Sequence, residues 1–434
     1  MMTSEARITH SGQDAFVWIW LPGATVPVVA GKVYRTQSGA DDYRFLYGQR
    51  YLANPDAISL YDPDLPLRAG EQVPPGQHNL APCLRDALPD AWGRRVIISD
   101  LTSLKRAGLE TTEADELTFM LRSGSDRIGA LDFQTSAREY VARGEEYASL
   151  EDLQRLADMV QSGEPISPVL DRAVLHGSSI GGARPKALLT DGDRRLIAKF
   201  SASNDPFGMV KAEFATMRLA AKAGLTVAHV DIEHVLDRDA LIIERFDRLP
   251  AGQGQTARRA MVSALTWTGE QEMTSRHVSY VELAEIIRTR FYDAAADLRE
   301  LFRRLTFNIL VGNTDDHCRN HAAFWNGRDL RLTPAYDIAP QIRGAAEANQ
   351  ALLITDSHRE SRLVHALEAA PAFRIASEQE ARRMIDDQIG VIRANWSSVC
   401  DDAGMTQVER EFFMGRQILN PYAFEGYAAY PGFL

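Results

Sequence analysis

Between residues 16 and 65 the short apolar runs FVWIWL, VPVVAGKVY, YRFLYG and AISLYD are separated by Gly, Pro, Asn and Asp. Runs of this length with such punctuation predict short antiparallel strands joined by turns, so the chain opens on a β-rich module. From Cys83 the spacing changes. LRDALPDAWGRRVIISDL, ADELTFMLRSG and SLEDLQRLADMVQSG repeat their apolar positions three and four residues apart, the period of amphipathic helices. The segment SGEPISP, residues 162–168, combines Gly, Ser and two Pro and interrupts that period, which places a boundary near residue 165.

A second pattern begins with LHGSSIGGARPKALLTDGDRRLIAKF, which reads as strand, glycine-rich turn, strand, Asp-Gly turn and strand. VKAEFATMRLAAKAGL then predicts an amphipathic helix ending at Gly224, and VDIEHVL and ALIIERFD predict two further strands. Beyond residue 261 the period is almost wholly helical (SYVELAEIIRTRF, AADLRELFRRLTFNILVG, EARRMIDDQIGVIRANW), broken at 312–343 by polar and strand-like pieces. The expected fold is α+β: a β-rich module with helices at 1–165, a small antiparallel-sheet lobe at 166–260, and a helical lobe at 261–434.

Composition narrows the class of molecule. The chain has 434 residues, of which 45 % are hydrophobic, enough for more than one core. No apolar run reaches the roughly eighteen residues that span a bilayer, and the start MMTSEARITHSGQD lacks the basic-then-apolar order of a secretory signal. A cytoplasmic location without membrane contact is expected. Cys83, Cys318 and Cys400 are scattered and show no CxxC spacing, so they suggest neither a disulfide framework nor a zinc site. A net charge of −11 without a concentrated basic stretch argues against autonomous DNA binding.

The densest polar cluster is Asn313-Thr-Asp-Asp-His-Cys-Arg-Asn320, directly after the apolar helix LTFNILV and its expected cap Gly312. Phosphoryl transfer needs a carboxylate to accept a hydroxyl proton, and oxygen ligands for magnesium. Asp315, Asn320 and Asp337, the last in an apolar setting, suit those three tasks. Such a cluster by itself is more often a solvated, capped loop; its companions decide otherwise. Lys199 stands in mid-strand, where an ammonium needs anionic partners, and Glu213 on the following helix supplies one while nucleotide phosphates supply another. Gly177, Gly181 and Gly182 allow a tight turn whose N–H groups approach phosphates.

Taken in order, glycine loop, strand lysine, helix glutamate, Asp/His/Asn loop and isolated Asp follow the sequence of a protein kinase. SSIGGARPK, LIAKF, IIERFDR, NTDDHCRN and LTPAYDIAP resemble the motifs of HipA-like serine/threonine kinases, the toxins of HipA/HipB toxin-antitoxin systems. The likeness is strong over 175–345, and LRDALPDAWGRR resembles the β-rich module preceding the kinase in that family. The resemblance implies a bilobal kinase fold using ATP and Mg²⁺. It implies Asp315 as catalytic base, Asn320 and Asp337 as magnesium ligands and Lys199 as a phosphate contact. Glu244 and Phe246 would contribute backbone hydrogen bonds to adenine, Asp247 would lie near the ribose, and His317 would be an orienting hydrogen-bonder. Arg245 and Arg248 read as surface ion-pair residues.

Several family members autophosphorylate a glycine-loop serine and silence themselves. Ser179 matches that position, with Ser178 beside it, although both are also ordinary turn residues. The family further implies a small HipB-like helix-turn-helix antitoxin through which an acidic kinase reaches DNA indirectly. It also implies a protein substrate such as an aminoacyl-tRNA synthetase. Asp315 precedes His317, the reverse of the eukaryotic order, and Asp337 is followed by Ile-Ala instead of Phe-Gly, which disfavours a eukaryotic-type or a lipid kinase. A corepressor pseudokinase and a small-molecule phosphotransferase are the alternatives.

Overall fold

The computed structural model describes residues 14–36, 41–106, 114–144, 149–164, 174, 178–179, 184–201, 208–236, 238–252 and 254–427. Five strands form the first sheet: β1 (Asp14–Ile19), β2 (Val28–Arg35), β3 (Tyr43–Tyr47), β4 (Glu71–Gln72) and β5 (Leu131–Gln134), in the order β4-β3-β2-β1-β5. The pairings are antiparallel, and a bulge between Val17 and Trp18 shifts the β1–β2 register. Alternation puts Ala15, Val17, Val33, Phe45 and Phe133 in the core. The fourth apolar run, AISLYD, is not a strand: Tyr61 makes only an isolated bridge to Leu65. Pro63, between the bridged residues, and Pro66, just after them, lack the N–H groups a ladder needs. Tyr47 holds the segment instead, its hydroxyl donating to Leu65 O at 2.7 Å and accepting from Leu60 N at 2.9 Å.

The helices Ala91–Arg106, Glu116–Arg122 and Leu150–Ser162 stand where the period changed. The last two begin on Asp115 and Ser149, whose side chains accept from the N–H groups of Thr118 and Asp152. A hairpin follows, β6 (Lys186–Asp191) and β7 (Arg194–Phe200), its turn carried by Gly192 at φ +58°. Trp92 ties the hairpin to the first helix by donating its indole N–H to Lys186 O at 3.0 Å. Gly93 lies so close to Ser178 that a Cβ there would stand 2.7 Å from the Ser178 carbonyl oxygen.

Packing gathers Met1–Ser203 and Asp247–Ala260 into one compact unit and Asn204–Phe246 with Met261–Leu434 into a second. The excursion at 247–260 belongs to the first unit for a polar reason that sequence reasoning missed. Arg248 and Arg245 are buried, not surface residues. Arg248 donates to Asp126 Oδ1 from Nε at 2.9 Å and from Nη2 at 2.7 Å, and to Gly129 O and Asp247 Oδ2, each at 2.9 Å. Arg258 lies 3.5 Å over the Trp20 ring. Beneath them Arg127 and Asp132, both fully buried, pair at 2.8 Å, and Arg143 joins at 3.1 Å.

In the second unit the helix Met209–Lys222 packs on the antiparallel pair β8 (Val230–Val235) and β9 (Arg238–Glu244), and against the long helix Glu378–Asp402. The helix Ala294–Val311 is the central rod, with Leu298, Leu301, Phe302, Leu305, Phe307, Ile309 and Leu310 all inaccessible. It ends as the sequence predicts, on Gly312 at φ +69°. Glycine is doubly required there, since a Cβ would meet Gln417 O at 2.5 Å. A three-stranded sheet, with Ala322–Trp325 between Met261–Ser263 and Leu330–Leu332, supports the loop that follows this helix.

Candidate functional site

Gly312 ends the rod and reverses the chain, so 313–320 leaves the buried core as a polar loop. Asn313 is the hinge pin of this loop: its Nδ2 donates to Asn308 Oδ1 at 3.0 Å and reaches Asp337 O at 3.5 Å. The two adjacent aspartates then part ways. Asp315 is exposed, whereas Asp316 is buried. The Asp316 carboxylate accepts from the Tyr280 hydroxyl and stands 2.9 Å from His321 Nε2. Burial alone would raise the Asp316 carboxyl, but His321, Tyr280 and His317 together hold it below the ordinary carboxylate value. The same surroundings push the Tyr280 hydroxyl up, first by burial and then by the Asp316 charge. Asp316 is thus a fixed anchor, and Asp315 is the carboxylate of the pair that faces outward.

Asn320 closes the loop. Its backbone N–H donates to His317 O at 2.8 Å and its Oδ1 accepts from His317 N at 3.3 Å. Its Nδ2 meets Asp337 Oδ2 at 3.1 Å. Asp337 itself adopts φ +61°, the left-handed region that Asp tolerates better than most residues. Its neighbours are pinned on both sides: Ala335 N–H donates to Thr226 O at 2.8 Å, Gln341 N–H to Gly312 O at 2.9 Å, and the Thr216 hydroxyl to Ile338 O at 2.5 Å. Thr216 lies one turn after Glu213, so the helix that carries the glutamate also grips the segment that carries Asp337.

An amide and a carboxylate side by side are an oxygen donor set for a hard cation. The Asn320 amide here turns its Nδ2 to Asp337 Oδ2 and its Oδ1 to His317 N–H, and rotating the amide would bring Oδ1 beside the carboxylate, so the donor set suits magnesium. His317 contributes to the loop through its backbone, while its ring Nδ1 is buried without a hydrogen-bond partner. Cys318 is a free thiol pushed up to about 12 by burial, and Cys83 and Cys400 are also free and buried.

Phe246 packs its ring on Phe324 and on Tyr336, at centroid separations of 5.9 and 5.8 Å, which joins the end of β9 to the residue before Asp337. Glu244 N–H donates to His229 O at 2.9 Å, so any ligand contact of its backbone would come from the carbonyl. In the first unit, Asp247 Oδ2 accepts from Gly129 N–H at 2.8 Å and from Arg248, and a ribose would compete with those bonds. Gly181 and Gly182 lie outside the described residues, as does Gly177. Ser178 and Ser179 are both buried, and Ser178 Oγ accepts from Gly124 N–H at 3.3 Å.

Lys199 is buried in β7 and lies directly opposite Lys186 in the β6–β7 register. Two buried ammonium groups on one face of a hairpin repel unless anionic charge lies between them. Sequence reasoning passed over Lys186, although its place at the head of β6 was readable. It also passed over Asp316, Tyr280 and His321, which no local pattern connects.

A family model described as HipA-like C-terminal domain matches residues 178–396, and one described as HipA N-terminal domain matches residues 20–134. The Y4mE protein of Sinorhizobium fredii is 25 % identical over 327 residues, covering 71 % of this chain and 74 % of that one. The serine/threonine-protein kinase toxin HipA of Shewanella oneidensis is 31 % identical over 185 residues, covering 37 % of this chain and 42 % of that one. The same organism's HipA, solved with HipB and operator DNA, superposes with a TM-score of 0.65 at 18 % identity over 92 % of this chain and 94 % of that chain. That likeness gives the fold: an α+β, kinase-like architecture behind a β-rich N-terminal module. Since the C-terminal family model spans half of the sequence and the N-terminal one most of the first module, this chain belongs to the HipA-like kinase family.

Proposed function

We propose that this chain is an ATP- and magnesium-dependent serine/threonine protein kinase acting as a HipA-type toxin. The observation that carries the reading is the division of labour at residues 315 and 316. One carboxylate is locked to Tyr280 and His321 and shapes the loop; the other is exposed on the same loop as Asn320, whose side chain meets Asp337. Asp315 accepts the proton of the attacking hydroxyl. Magnesium held by Asn320 and Asp337 would neutralise phosphate charge in the transition state. Lys199, with Lys186 opposite, supplies cationic contacts to the triphosphate, and the carbonyl of Glu244 and the N–H of Phe246 receive the adenine. Gly181 and Gly182 belong to the phosphate loop.

Partners follow from the family and from charge. A chain of net charge −11 reaches operator DNA through a HipB-like helix-turn-helix antitoxin, and its substrate is a protein of the translation apparatus, such as an aminoacyl-tRNA synthetase. None of the described helices is long and apolar enough to cross a membrane, which accords with action in the cytoplasm. Autophosphorylation of Ser179, or of Ser178, would require the segment to leave its packing, because both are buried and a phosphate adds roughly −1.5 to −2 charges. Such a modification would lock the phosphate loop open.

The test is transfer of labelled phosphate to lysate proteins, with Asp315→Asn as control. Loss of general-base catalysis predicts a fall of roughly 10²- to 10⁴-fold in transfer. Mass spectrometry should find phosphate on Ser179 in wild-type protein and not in the Asp315→Asn protein. Transfer by Asp315→Asn within a few-fold of wild type would overturn the assignment of the base, and label appearing on metabolites alone would favour a small-molecule phosphotransferase.

A further inference from the structure

Within the second unit, away from the aspartates and asparagine of the catalytic loop, a second set of ligand-type side chains converges. His358, Glu360 and His365 present one ligand atom each, and these atoms all lie within 4.8 Å of one another. Glu360 Oε2 is central, 3.5 Å from His358 Nδ1 and 3.7 Å from His365 Nε2. Ligands of a tetrahedral ion with bonds of about 2.0–2.1 Å stand roughly 3.3 Å apart, so these side chains surround a space of that size.

The two ring nitrogens support this independently. His358 Nδ1 and His365 Nε2 are both buried and without a hydrogen-bond partner, at separations from Glu360 too long for a good hydrogen bond. His365 is only 6 % exposed, so its bare nitrogen is costly unless something binds it. Its other nitrogen, Nδ1, meets Glu368 Oε2 at 3.2 Å. A carboxylate there holds the proton on Nδ1 and leaves the Nε2 lone pair aimed at Glu360, the outer arrangement that accompanies metal-ligating histidines. The rings of His358 and His365 stack at 4.2 Å and 12°, so one of them turns out of the stack when both lone pairs meet one ion.

We propose that His358, Glu360 and His365 form a binding site for a single divalent transition-metal ion of the zinc class, with Glu368 as the carboxylate that positions His365. Two imidazoles and one carboxylate suit zinc better than magnesium or calcium, which take oxygen ligands. The ion clips two pieces of chain together. His358 and Glu360 lie on a returning segment, Asn349 bridging to Glu360 and Ile354 N–H donating to His358 O at 2.7 Å, while His365 stands on the helix Leu363–Ala369. The outgoing arm of the same segment touches the catalytic loop, since Ala351 N–H donates to Thr314 O at 2.9 Å. It also receives Tyr280 N–H at Leu353 O, at 2.8 Å. The metal therefore braces a segment that supports both Thr314 and Tyr280, and its role is structural.

The experiment uses untagged full-length protein stripped with a chelator and titrated calorimetrically with zinc, with cobalt substitution to report geometry by visible absorption. One ion per chain is expected, with a tetrahedral cobalt spectrum and a rise in melting temperature on zinc addition. His358→Gln, at a half-exposed position, should weaken binding at least about 10-fold without changing the circular dichroism of the metal-free protein, and Glu368→Gln should weaken it about 10-fold. His365→Ala should abolish binding; should that variant fail to fold, His358→Gln decides alone. Equal affinity in wild type and His358→Gln, or several weak ions per chain unaffected by either variant, would overturn the site.

Discussion

The molecule holds two buried polar networks, and they are finished to different degrees. In the first unit Arg127, Asp132, Arg143, Asp126 and Arg248 form a closed set: Arg127 is fully buried yet bonds to Asp132 Oδ1, Ala87 O and Met120 O, and Arg248 has three partners besides Asp247. In the second unit the loop 313–320 is less completely engaged: Asp316 is held by Tyr280 and His321, but the Nδ1 atoms of His317 and His321 have no partner and Asp337 keeps a left-handed backbone. A closed network stabilises; an open one reserves polar atoms for a ligand.

The sharpest way to break that contrast is to change one carboxylate on the open side. Asp337→Asn keeps a residue type that accepts the left-handed conformation while removing the charge that would hold magnesium. Phosphate transfer should fall roughly 10²- to 10³-fold, with melting temperature nearly unchanged. Activity close to wild type would remove Asp337 from the metal site.

Next in size is a change on the closed side. Arg127→Met leaves Asp132 buried with one guanidinium fewer, and breaking a buried pair in this way costs roughly 3–5 kcal/mol. Urea denaturation should report that loss. A midpoint equal to wild type would mean that Arg143 and Gln134 suffice for Asp132, and the network would not be the cement inferred for this unit.

Much of this was legible because local rules act locally. The strands β1, β2 and β3, the caps Ser149 and Gly312, and the turn at Gly192 follow from period and residue type, whereas the short β4 and the distant β5 do not announce themselves. The polar loop 313–320 was visible as a cluster, and the strand lysine Lys199 by its apolar neighbours. Which of two adjacent aspartates is buried was not legible, because the deciding partner, Tyr280, stands 36 positions away. Likewise nothing in RFDRLP announces that Arg248 reaches back to Asp126 and that the excursion at 247–260 therefore joins the first unit. His358, Glu360 and His365 follow no helical or strand period, and only the return of the chain brings them together.

The smallest expected effect probes where the inner half of the loop 313–320 resembles the closed network. Tyr280→Phe removes the hydroxyl that donates to Asp316 while keeping the ring that packs edge-on against His321 at 5.5 Å. A buried carboxylate left with one donor fewer loses about 1–3 kcal/mol. The pH dependence has a definite sign. Asp316 is held below its ordinary value in the folded state, so its stabilisation is present above the unfolded-state value near 3.9 and is lost as pH falls through the lower folded value. Without the Tyr280 hydroxyl the folded value rises toward the unfolded one, and the variant should unfold at higher pH than wild type on acidification. Its phosphate transfer at neutral pH should fall less than that of Asp337→Asn, because Asp316 positions the loop and touches no reacting atom. An acid transition unchanged by Tyr280→Phe would show that His321 alone holds the charge, and an activity loss as deep as that of Asp337→Asn would move Asp316 from anchor to participant.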